Sequence, residues 1–340
     1  MYKSFYNLKR NPFEITPDPS FLFPTRRHNE ALAALYYGVR RHKGFVVMTG
    51  EVGTGKTLLV RCLLELLNRK NVAYAYVFNS ILSPMEFLQY VAGDLGLPTA
   101  GKNKSELLLD LSSFLIARHQ QKLTTVLVVD EAHHLPVEVL EEVRLLTNLE
   151  TAEEKLLQIL LVGQPELDLK MDSVELRQLK QRIALRSQLE PLTLDETQGY
   201  VHRRLQLAAT TNGRVLELFP SETIASIYRH SRGIPRLINT VCENALITSF
   251  ARQAPIVTPD VIEEVATDFR LGIVHRAPDS RQTRNQQVLQ AAPTQDSGEV
   301  WQAVKTLLQL HDYLQSARSR DDEAAEVDPP VAVWRGSKQI

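Results

Sequence analysis

The feature that most constrains the fold is the segment VVMTGEVGTGKTLLV, residues 46–60. Its centre matches the pattern G-x-x-x-x-G-K-[ST], with Gly50 and Gly55 at the two required glycine positions. A short β-branched run precedes the glycines and a leucine-rich run follows them, which predicts a buried strand leading into a helix. A phosphate chain needs backbone N–H groups turned inward around it, and glycine permits both the tight turns and the close approach. The segment therefore predicts a phosphate-binding loop between a strand and a helix.

Two side chains at the end of this loop have predicted roles in binding ATP and Mg²⁺. Lys56 is expected to reach the β- and γ-phosphates, and the hydroxyl of Thr57 to hold Mg²⁺. The following helix would present its N-terminus to the anion. The predicted nucleotide-binding residues are Gly50, Glu51, Val52, Gly53, Thr54, Gly55, Lys56, Thr57 and Leu58.

A second part of the site is predicted at the end of the apolar run TTVLVVD, residues 124–130. Asp130 would emerge from this strand and bind Mg²⁺ through water, and Glu131 would polarise the attacking water. Alone, the pattern also describes an ordinary strand followed by a helix cap, but the phosphate loop makes the catalytic interpretation stronger. His133 and His134 are candidate metal ligands or bases, although a solvated helix start is favoured because ATP chemistry does not need them.

Further candidates follow the next apolar run, LLQILLVGQPEL. Gln164 could orient the water beside the γ-phosphate, or could be a turn residue before a proline. Arg177, Arg182 and Arg186 follow, and an arginine supplied to a neighbouring subunit would stabilise transition-state charge. Arg182 is the preferred candidate and Arg186 the second, while each is otherwise a solvated helix charge.

A last candidate is Arg236 in the segment SRGIPRLINTV. Gly233 and Pro235 would set the turn before a helix that begins near this arginine. From a lid domain, Arg236 could reach back to the phosphates and couple the nucleotide state to domain closure.

The order of apolar segments predicts the overall architecture. Five near-continuous apolar runs alternate with helical patterns, which is typical of a parallel sheet covered on both faces. From about residue 195 the strands stop and four helical patterns follow, which predicts a small all-helical domain. The predicted units are a lead-in (1–27), an α/β nucleotide-binding domain (28–193), a helical lid (194–270), a linker (271–299), an amphipathic helix (300–316) and a disordered tail (317–340).

Composition sets limits on partners and on location. The 340 residues are 44% hydrophobic and 23% charged with a net charge of −1, so no global field favours nucleic acid or a membrane surface. Cys62 and Cys242 lie far apart in helical patterns and are expected to be reduced core thiols. No stretch approaches the ~20 apolar residues of a membrane span. The prediction is a cytoplasmic protein with no integral membrane segment, able to dock at the inner membrane through a partner.

Taken together, the phosphate loop, VLVVDEA, LLVGQPEL, LKQRI and GIPRLIN resemble the AAA+ ATPases, and among them the general secretion pathway protein A family. The opening YNLKRNPFEITPDPSFLFPTRRHNEALAAL is also similar to the start of that family, which packs beside the nucleotide base. The resemblance covers residues 1 to about 270. It implies a P-loop NTPase α/β domain with a helical lid, Gln164 as first sensor, Arg182 as finger and Arg236 as second sensor. Many AAA+ proteins have asparagine at the first sensor, whereas glutamine agrees with the secretion-type subfamily.

The resemblance also implies a function. It indicates a ring-forming ATP hydrolase that assembles or remodels a bacterial envelope secretion, pilus or polysaccharide-export system. Family members that assemble the secretin continue into a membrane span and a peptidoglycan-binding domain, and this sequence is more similar to compact members that lack both.

Two other functions remain open at this point. One is a DNA-associated ATPase similar to transposition regulators, and the other is an ATP-binding scaffold with little turnover, against which the Asp130–Glu131 pair argues. A solvated surface is favoured over a DNA-facing patch for the basic residues Arg26, Arg27, Arg40, Arg41 and Lys43.

Overall fold

The computed structural model of the chain describes residues 2–67, 72–78, 81–210 and 215–271. Apart from Leu271, the predicted linker, amphipathic helix and tail lie outside the described residues. The strands are β1 (Phe45–Gly50), β2 (Val72–Val77), β3 (Thr124–Val129), β4 (Leu157–Gly163) and β5 (Leu185–Leu189). The helices are α1 (Tyr2–Phe5), α2 (Arg26–Arg40), α3 (Lys56–Leu66), α4 (Pro84–Asp94), α5 (Lys104–Gln120), α6 (Val137–Leu146), α7 (Pro165–Met171), α8 (Arg177–Lys180), α9 (Leu194–Ala208), α10 (Ser221–Ser231), α11 (Pro235–Ala251) and α12 (Pro259–Asp268).

The five strands form one parallel sheet in the order β2-β3-β4-β1-β5. Every residue of β1 and of β4 is buried, as expected for strands covered on both faces. The predicted fifth strand, near 186–192, ends earlier, because its ladder with β1 stops where Gly50 pairs with Leu189 and the phosphate loop turns away. Since all five strands run the same way, the segments that follow them meet at one edge of the sheet.

Helices pack on both faces of this sheet. Phe45 and Val47 of β1 join the apolar cluster formed with α4, α5 and α6. Val46 points to the other face, towards α2, where a Cβ built on Gly38 would lie 2.5 Å from its Cγ2. Glycine at position 38 therefore allows α2 to approach the strand closely. This parallel sheet between helical layers confirms the predicted fold class.

The second core lies among helices α9 to α12, and the N-terminal lead-in is part of it. The Tyr2 hydroxyl donates to both carboxylate oxygens of Glu243, at 2.8 and 2.9 Å. Phe13 is fully buried, and its ring meets that of Phe219 edge to face. The lead-in therefore folds onto the helical part of the chain rather than forming a separate arm.

Two further predictions concern the cysteines and membrane-spanning helices. Cys62 and Cys242 are buried free thiols, as expected for core cysteines. No helix in the described ranges combines the length and the apolar composition that crossing a bilayer would require.

Candidate nucleotide-binding site

The glycine-rich segment forms a tight loop from the end of β1 to the start of α3. Gly53 and Gly55 both adopt left-handed backbone conformations, with φ of +81° and +98°. A Cβ at Gly50 would lie 2.8 Å from the Leu189 carbonyl oxygen, so this position allows the loop to leave the sheet beside β5. Gly55 precedes the first residue of α3 and provides no capping side chain. The amide groups at this helix N-terminus face the loop, as an anion site requires.

The Lys56 side chain lies inside the loop and is itself buried. Its Nζ donates to the carbonyl oxygens of Gly50, at 2.8 Å, and Glu51, at 3.0 Å. Burial lowers the pKa of Lys56, while Glu131, Asp130 and other acidic groups around it act in the opposite direction. The ammonium group is thus held where a phosphate could take the place of the carbonyl contacts.

Thr57 and Asp130 come together beside the loop. The Thr57 hydroxyl donates to Asp130 Oδ2 at 2.9 Å, and the Glu131 backbone N–H donates to Asp130 Oδ1 at 2.9 Å. The carboxylate of Asp130 is buried at the end of β3. A hydroxyl and a carboxylate are oxygen ligands of the kind Mg²⁺ prefers, so the residues present fit this ion.

A residue that sequence reasoning missed also binds this carboxylate. Tyr76 on β2 donates its hydroxyl to Asp130 Oδ2 at 2.8 Å. Burial raises the pKa of Tyr76, and the charge of Asp130 adds to the effect, so the hydroxyl stays protonated and remains a donor. The alternating tyrosines of VAYAYV carry no signal of this contact, because it depends on the pairing of β2 with β3.

We expect Tyr76→Phe to lower the free energy of unfolding by about 1–2 kcal/mol, since a hydrogen bond to a charged group contributes about 1.5–3 kcal/mol and Asp130 keeps two other donors. Urea unfolding monitored by circular dichroism measures the change. The matched control is Tyr74→Phe, because Tyr74 lies two residues earlier on the same strand and is exposed. Equal destabilisation by both variants would contradict a specific role for the Tyr76 hydroxyl.

Glu131, His133 and Gln164 form a second cluster at the same edge of the sheet. The Gln164 amide lies 3.5 Å from Glu131 Oε2, and the Gln164 backbone N–H points to His133 Nδ1 at 3.4 Å. The same His133 nitrogen is 3.4 Å from Glu131 Oε2. Glu131 itself has a left-handed backbone conformation, with φ of +52°. The carboxylate, the amide and the imidazole therefore lie together beside the phosphate loop.

The expectation of a solvated His133 is wrong. Its side chain is only 7% exposed, because the turn Ala132–His134 packs against the end of β4 and the start of α7. Lys170 fixes that turn by donating to the His133 carbonyl oxygen at 3.0 Å. Burial and the neighbouring His134 lower the pKa of His133, which favours the neutral ring. His134 is exposed, as expected.

The helical part of the chain reaches the phosphate loop through the start of α11. The Arg236 backbone N–H donates to the Gly53 carbonyl oxygen at 3.2 Å. A Cβ at Gly53 would lie 2.7 Å from the Cβ of Arg236, so glycine is needed for this approach as well. The Arg236 side chain is exposed and begins beside the loop. The structure thus brings Arg236 to the loop residues predicted to bind nucleotide.

A buried histidine makes a second link to the loop. His28 Nε2 lies 3.2 Å from the Thr54 carbonyl oxygen and Nδ1 lies 2.7 Å from the Thr25 hydroxyl. Since a carbonyl oxygen can only accept, Nε2 carries the proton and Nδ1 accepts from Thr25. Burial lowers the pKa of His28, in keeping with this neutral ring. Sequence reasoning missed this residue, because its contact with the loop joins two positions that are 26 residues apart in the chain.

The preferred finger arginine, Arg182, lies away from its own chain's loop. Arg182 precedes β5 and so lies at the amino-terminal edge of the parallel sheet, opposite the loop. Its Nη1 donates to the Thr147 hydroxyl at 3.0 Å. Arg186 is paired with Asp168, and Arg177 is exposed at the start of α8. Within one chain Arg182 is therefore at the opposite edge from the loop, whereas Arg186 lies in β5 beside Val47 of β1.

The five basic residues of the predicted DNA-facing patch are spread along α2 and its end. Arg26 and Arg40 are the first and last residues of this 15-residue helix, about 21 Å apart at 1.5 Å per residue. Arg26 is paired with Glu30 at 2.8 Å, and Arg40 donates to the Tyr36 hydroxyl at 3.2 Å. The positive charges at the two ends are thus separated, and those at the amino-terminal end are partly balanced by Glu30.

Comparisons with known proteins bear on this arrangement. Residues 39–171 match the model of a family described as "AAA domain". General secretion pathway protein A of Aeromonas hydrophila is 45% identical over 253 residues, 74% of this chain and 45% of that protein. The Mu-like prophage FluMu DNA transposition protein B of Haemophilus influenzae is 31% identical over 155 residues, 44% of this chain and 50% of that protein. The chain thus spans about half the length of the curated relatives it matches.

Solved structures resemble the fold. The Aeropyrum pernix ORC1 protein in complex with DNA has a TM-score of 0.58 at 18% identity, covering 76% of this chain and 69% of that one. The Aeropyrum pernix ORC2 protein in its ADPNP–ADP complexes has a TM-score of 0.56 at 17% identity, covering 76% and 72%. At these identities the likeness concerns the fold alone.

Proposed function

We propose that the chain is an AAA+ P-loop ATPase that hydrolyses ATP in the presence of Mg²⁺ to assemble or remodel an envelope secretion, pilus or polysaccharide-export system. The match of residues 39–171 to an AAA domain and the similarity to general secretion pathway protein A support this proposal. The observation that carries the proposed chemistry is the convergence of Lys56, Thr57, Asp130 and Glu131 at one edge of the sheet.

Each residue of this group has a separate proposed role. The loop N–H groups and Lys56 bind the β- and γ-phosphates. Thr57 and Asp130 would hold Mg²⁺, which when bound neutralises charge on the phosphate oxygens. Glu131 orients the attacking water and draws off its proton, and Gln164 positions Glu131 through the 3.5 Å amide contact.

The remaining predicted roles require movement or a second chain. Arg236 would act on the nucleotide from the helical part, as its backbone contact with Gly53 suggests. Arg182 would reach the γ-phosphate of a neighbouring subunit in a ring-type homo-oligomer, since the phosphate loop of its own chain is at the opposite edge of the sheet. Arg186 is the second candidate for this role. Leu169 and Val174, on the segment leading to these arginines, are 74% and 77% exposed, as a surface for self-association would be.

The organisation and location are part of the same proposal. We assign the lead-in to 1–27, the nucleotide-binding domain to 28–193 and the lid to 194–270. The protein would act in the cytoplasm or peripherally at the inner membrane through a partner of the export system, as the named secretion relative suggests.

A second candidate is a DNA-associated ATPase. It is favoured by the 31% identity to the FluMu DNA transposition protein B. The separation of the basic residues along α2, and the pairing of Arg26 and Arg27 with Glu30, argue against one continuous DNA-binding patch on that helix. A nucleotide-dependent scaffold with little turnover is a third outcome, which the presence of Glu131 beside Asp130 argues against.

The deciding experiment is steady-state ATP hydrolysis by the full chain, with Mg²⁺ or with EDTA, and with or without duplex DNA. Turnover that needs Mg²⁺ and is unaffected by DNA would support the export ATPase. Strong stimulation by DNA that weakens as salt rises would favour the DNA-associated candidate. Nucleotide binding without turnover in every condition would overturn the proposed hydrolysis in favour of the scaffold.

A further inference from the structure

Two histidines and a glutamate meet at the edge of the sheet opposite the phosphate loop. His42 lies just before β1, His119 lies near the end of α5 before β3, and Glu154 lies in the loop before β4. These three strands are adjacent and parallel, so the segments that enter them meet at the amino-terminal edge. None of the three residues has a role in the proposed ATP chemistry.

The side chains of this cluster converge on one another. Glu154 Oε2 is 3.1 Å from His42 Nδ1 and 4.0 Å from His119 Nδ1. One potential ligand atom from each residue lies within 4.8 Å of the other two. The 3.1 Å contact with Glu154 does not have the angles of a hydrogen bond, so the buried His42 Nδ1 has no hydrogen-bond partner in the described part of the chain. This nitrogen lies beside a carboxylate oxygen and a second imidazole. A cation bound between the three groups would supply the partner that the nitrogen lacks.

The first histidine is fixed by the backbone around it. His42 adopts a left-handed conformation, with φ of +50°, and its N–H donates to the Val39 carbonyl oxygen. The N–H of Gly44 then donates to Gln158 Oε1 at 2.9 Å, which ties the segment to β4. The backbone that carries this imidazole is therefore held in place beside β4.

The other two residues are held as firmly. His119 accepts the N–H of Lys122 on its carbonyl oxygen at 2.8 Å, and Arg118 beside it is bonded to Thr124 and Thr125 at the start of β3. Glu154 closes a tight turn with Thr151, whose N–H donates to the Glu154 carbonyl oxygen at 2.8 Å. The backbone at each of the three positions is thus held by hydrogen bonds at this edge of the sheet.

We propose that His42, His119 and Glu154 form a binding site for a divalent transition-metal ion of the Zn²⁺ type. Two neutral imidazoles and one carboxylate are a common three-ligand set for Zn²⁺ in proteins. Ligand atoms about 2.0–2.2 Å from a tetrahedral ion lie roughly 3.3–3.6 Å from one another. The 3.1 Å pair is already close to this range, and the 4.0 Å pair must close by a side-chain rotation. The side chains are 21%, 32% and 49% exposed, so the ion enters from solvent and water completes its coordination.

The bound ion would connect the chain segments that enter β1, β3 and β4. An ion that binds the folded chain and not the unfolded one raises stability by mass action. Binding of the metal ion should not depend on nucleotide, because the phosphate loop is at the other edge of the sheet.

The alternative is an ordinary histidine–carboxylate contact. The chain contains such a pair for comparison, because His230 Nε2 lies 2.9 Å from Glu263 Oε2 on the helical part. Arg229 also approaches that carboxylate at 3.1 Å, so it already has a cationic partner. The described residues contain no other cluster of at least three histidine, cysteine or acidic groups that meets the same distance requirement.

The test is Zn²⁺ titration of the nucleotide-free full chain against a chromophoric chelator, with Co²⁺ absorption as a second readout of the ligand set. The variants are His42→Asn, since asparagine tolerates the left-handed conformation, and His119→Gln near the helix end. The control is His230→Gln. We expect one bound ion in the wild type and the control, and at least about tenfold weaker binding in both variants, because loss of even an outer-shell partner costs about 10–100-fold.

Thermal unfolding provides an independent readout. Zn²⁺ should raise the melting temperature of the wild type and of His230→Gln, but not that of His119→Gln. Failure of the wild type to bind Zn²⁺ and Co²⁺, or equal binding by the wild type and both site variants, would overturn the proposal. Neither result would bear on ATP hydrolysis.

Discussion

ATP turnover is expected to fall by roughly 10²–10⁴-fold in Glu131→Gln, the range contributed by a positioned general base. The amide retains the size and hydrogen-bonding reach of the carboxylate but cannot take a proton from water. Glu131 lies beside Gln164 and His133, not among the loop residues that would bind phosphate, so nucleotide affinity should stay nearly unchanged. Steady-state phosphate release and equilibrium binding of a fluorescent ATP analogue separate the two quantities.

A matched carboxylate serves as the control for this experiment. Glu138 is exposed in the first turn of α6, and Glu138→Gln removes the same charge a short distance along the chain. It should leave turnover within about twofold of the wild type, because a substitution on the surface away from the site usually has a small effect. Wild-type turnover in Glu131→Gln would assign the base to another group, and lost nucleotide binding would show that Glu131 instead maintains the site.

The largest effect on stability is expected from Gly233→Ala. Gly233 has a φ of +74°, and a Cβ there would lie 1.9 Å from the Leu192 carbonyl oxygen, which is backbone and cannot rotate away. The Leu192 N–H also donates to the Gly233 carbonyl oxygen at 2.8 Å, so the two segments are tied at this point. Backbone strain of about 1–3 kcal/mol and overpacking of about 1–3 kcal/mol together predict a loss of about 2–6 kcal/mol.

Gly96→Ala separates the two causes. Gly96 has a similar φ, +82°, but a Cβ there meets no heavy atom within 4 Å. This variant should lose only about 1–2 kcal/mol, the cost of the left-handed conformation. Urea unfolding of both variants and the wild type gives the comparison, and equal losses would mean that the contact with Leu192 relaxes freely.

The Gly233 variant also tests how the helical part is coupled to the loop. Gly233 lies in the turn before α11, whose residue Arg236 donates its backbone N–H to the Gly53 carbonyl oxygen. If the turn shifts, this contact shifts with it. In molecules that remain folded, Gly233→Ala should therefore weaken nucleotide binding more than Gly96→Ala does.

Much of the site was predictable because it depends on contiguous residues. The segment GEVGTGKT specifies a loop whose backbone direction follows from its glycines, and the apolar runs on either side require a buried strand and a helix. Asp130 and Glu131 were predictable for a similar reason, since the carboxyl ends of parallel strands meet at one edge. The burial of His133 was mispredicted, because local sequence does not reveal that β4 and α7 cover the turn that carries it.

The sequence by itself determined the parallel sheet, the phosphate loop and the acidic pair, since each follows from local spacing of apolar residues, glycines and charges. Only the tertiary structure decided that Tyr76 donates to Asp130, that His28 contacts the loop, and that His42, His119 and Glu154 meet at the opposite edge. The physical reason is that such contacts depend on which strands are neighbours and in what register. Strand order and register are set when the whole core packs, and no short segment of the chain carries that information.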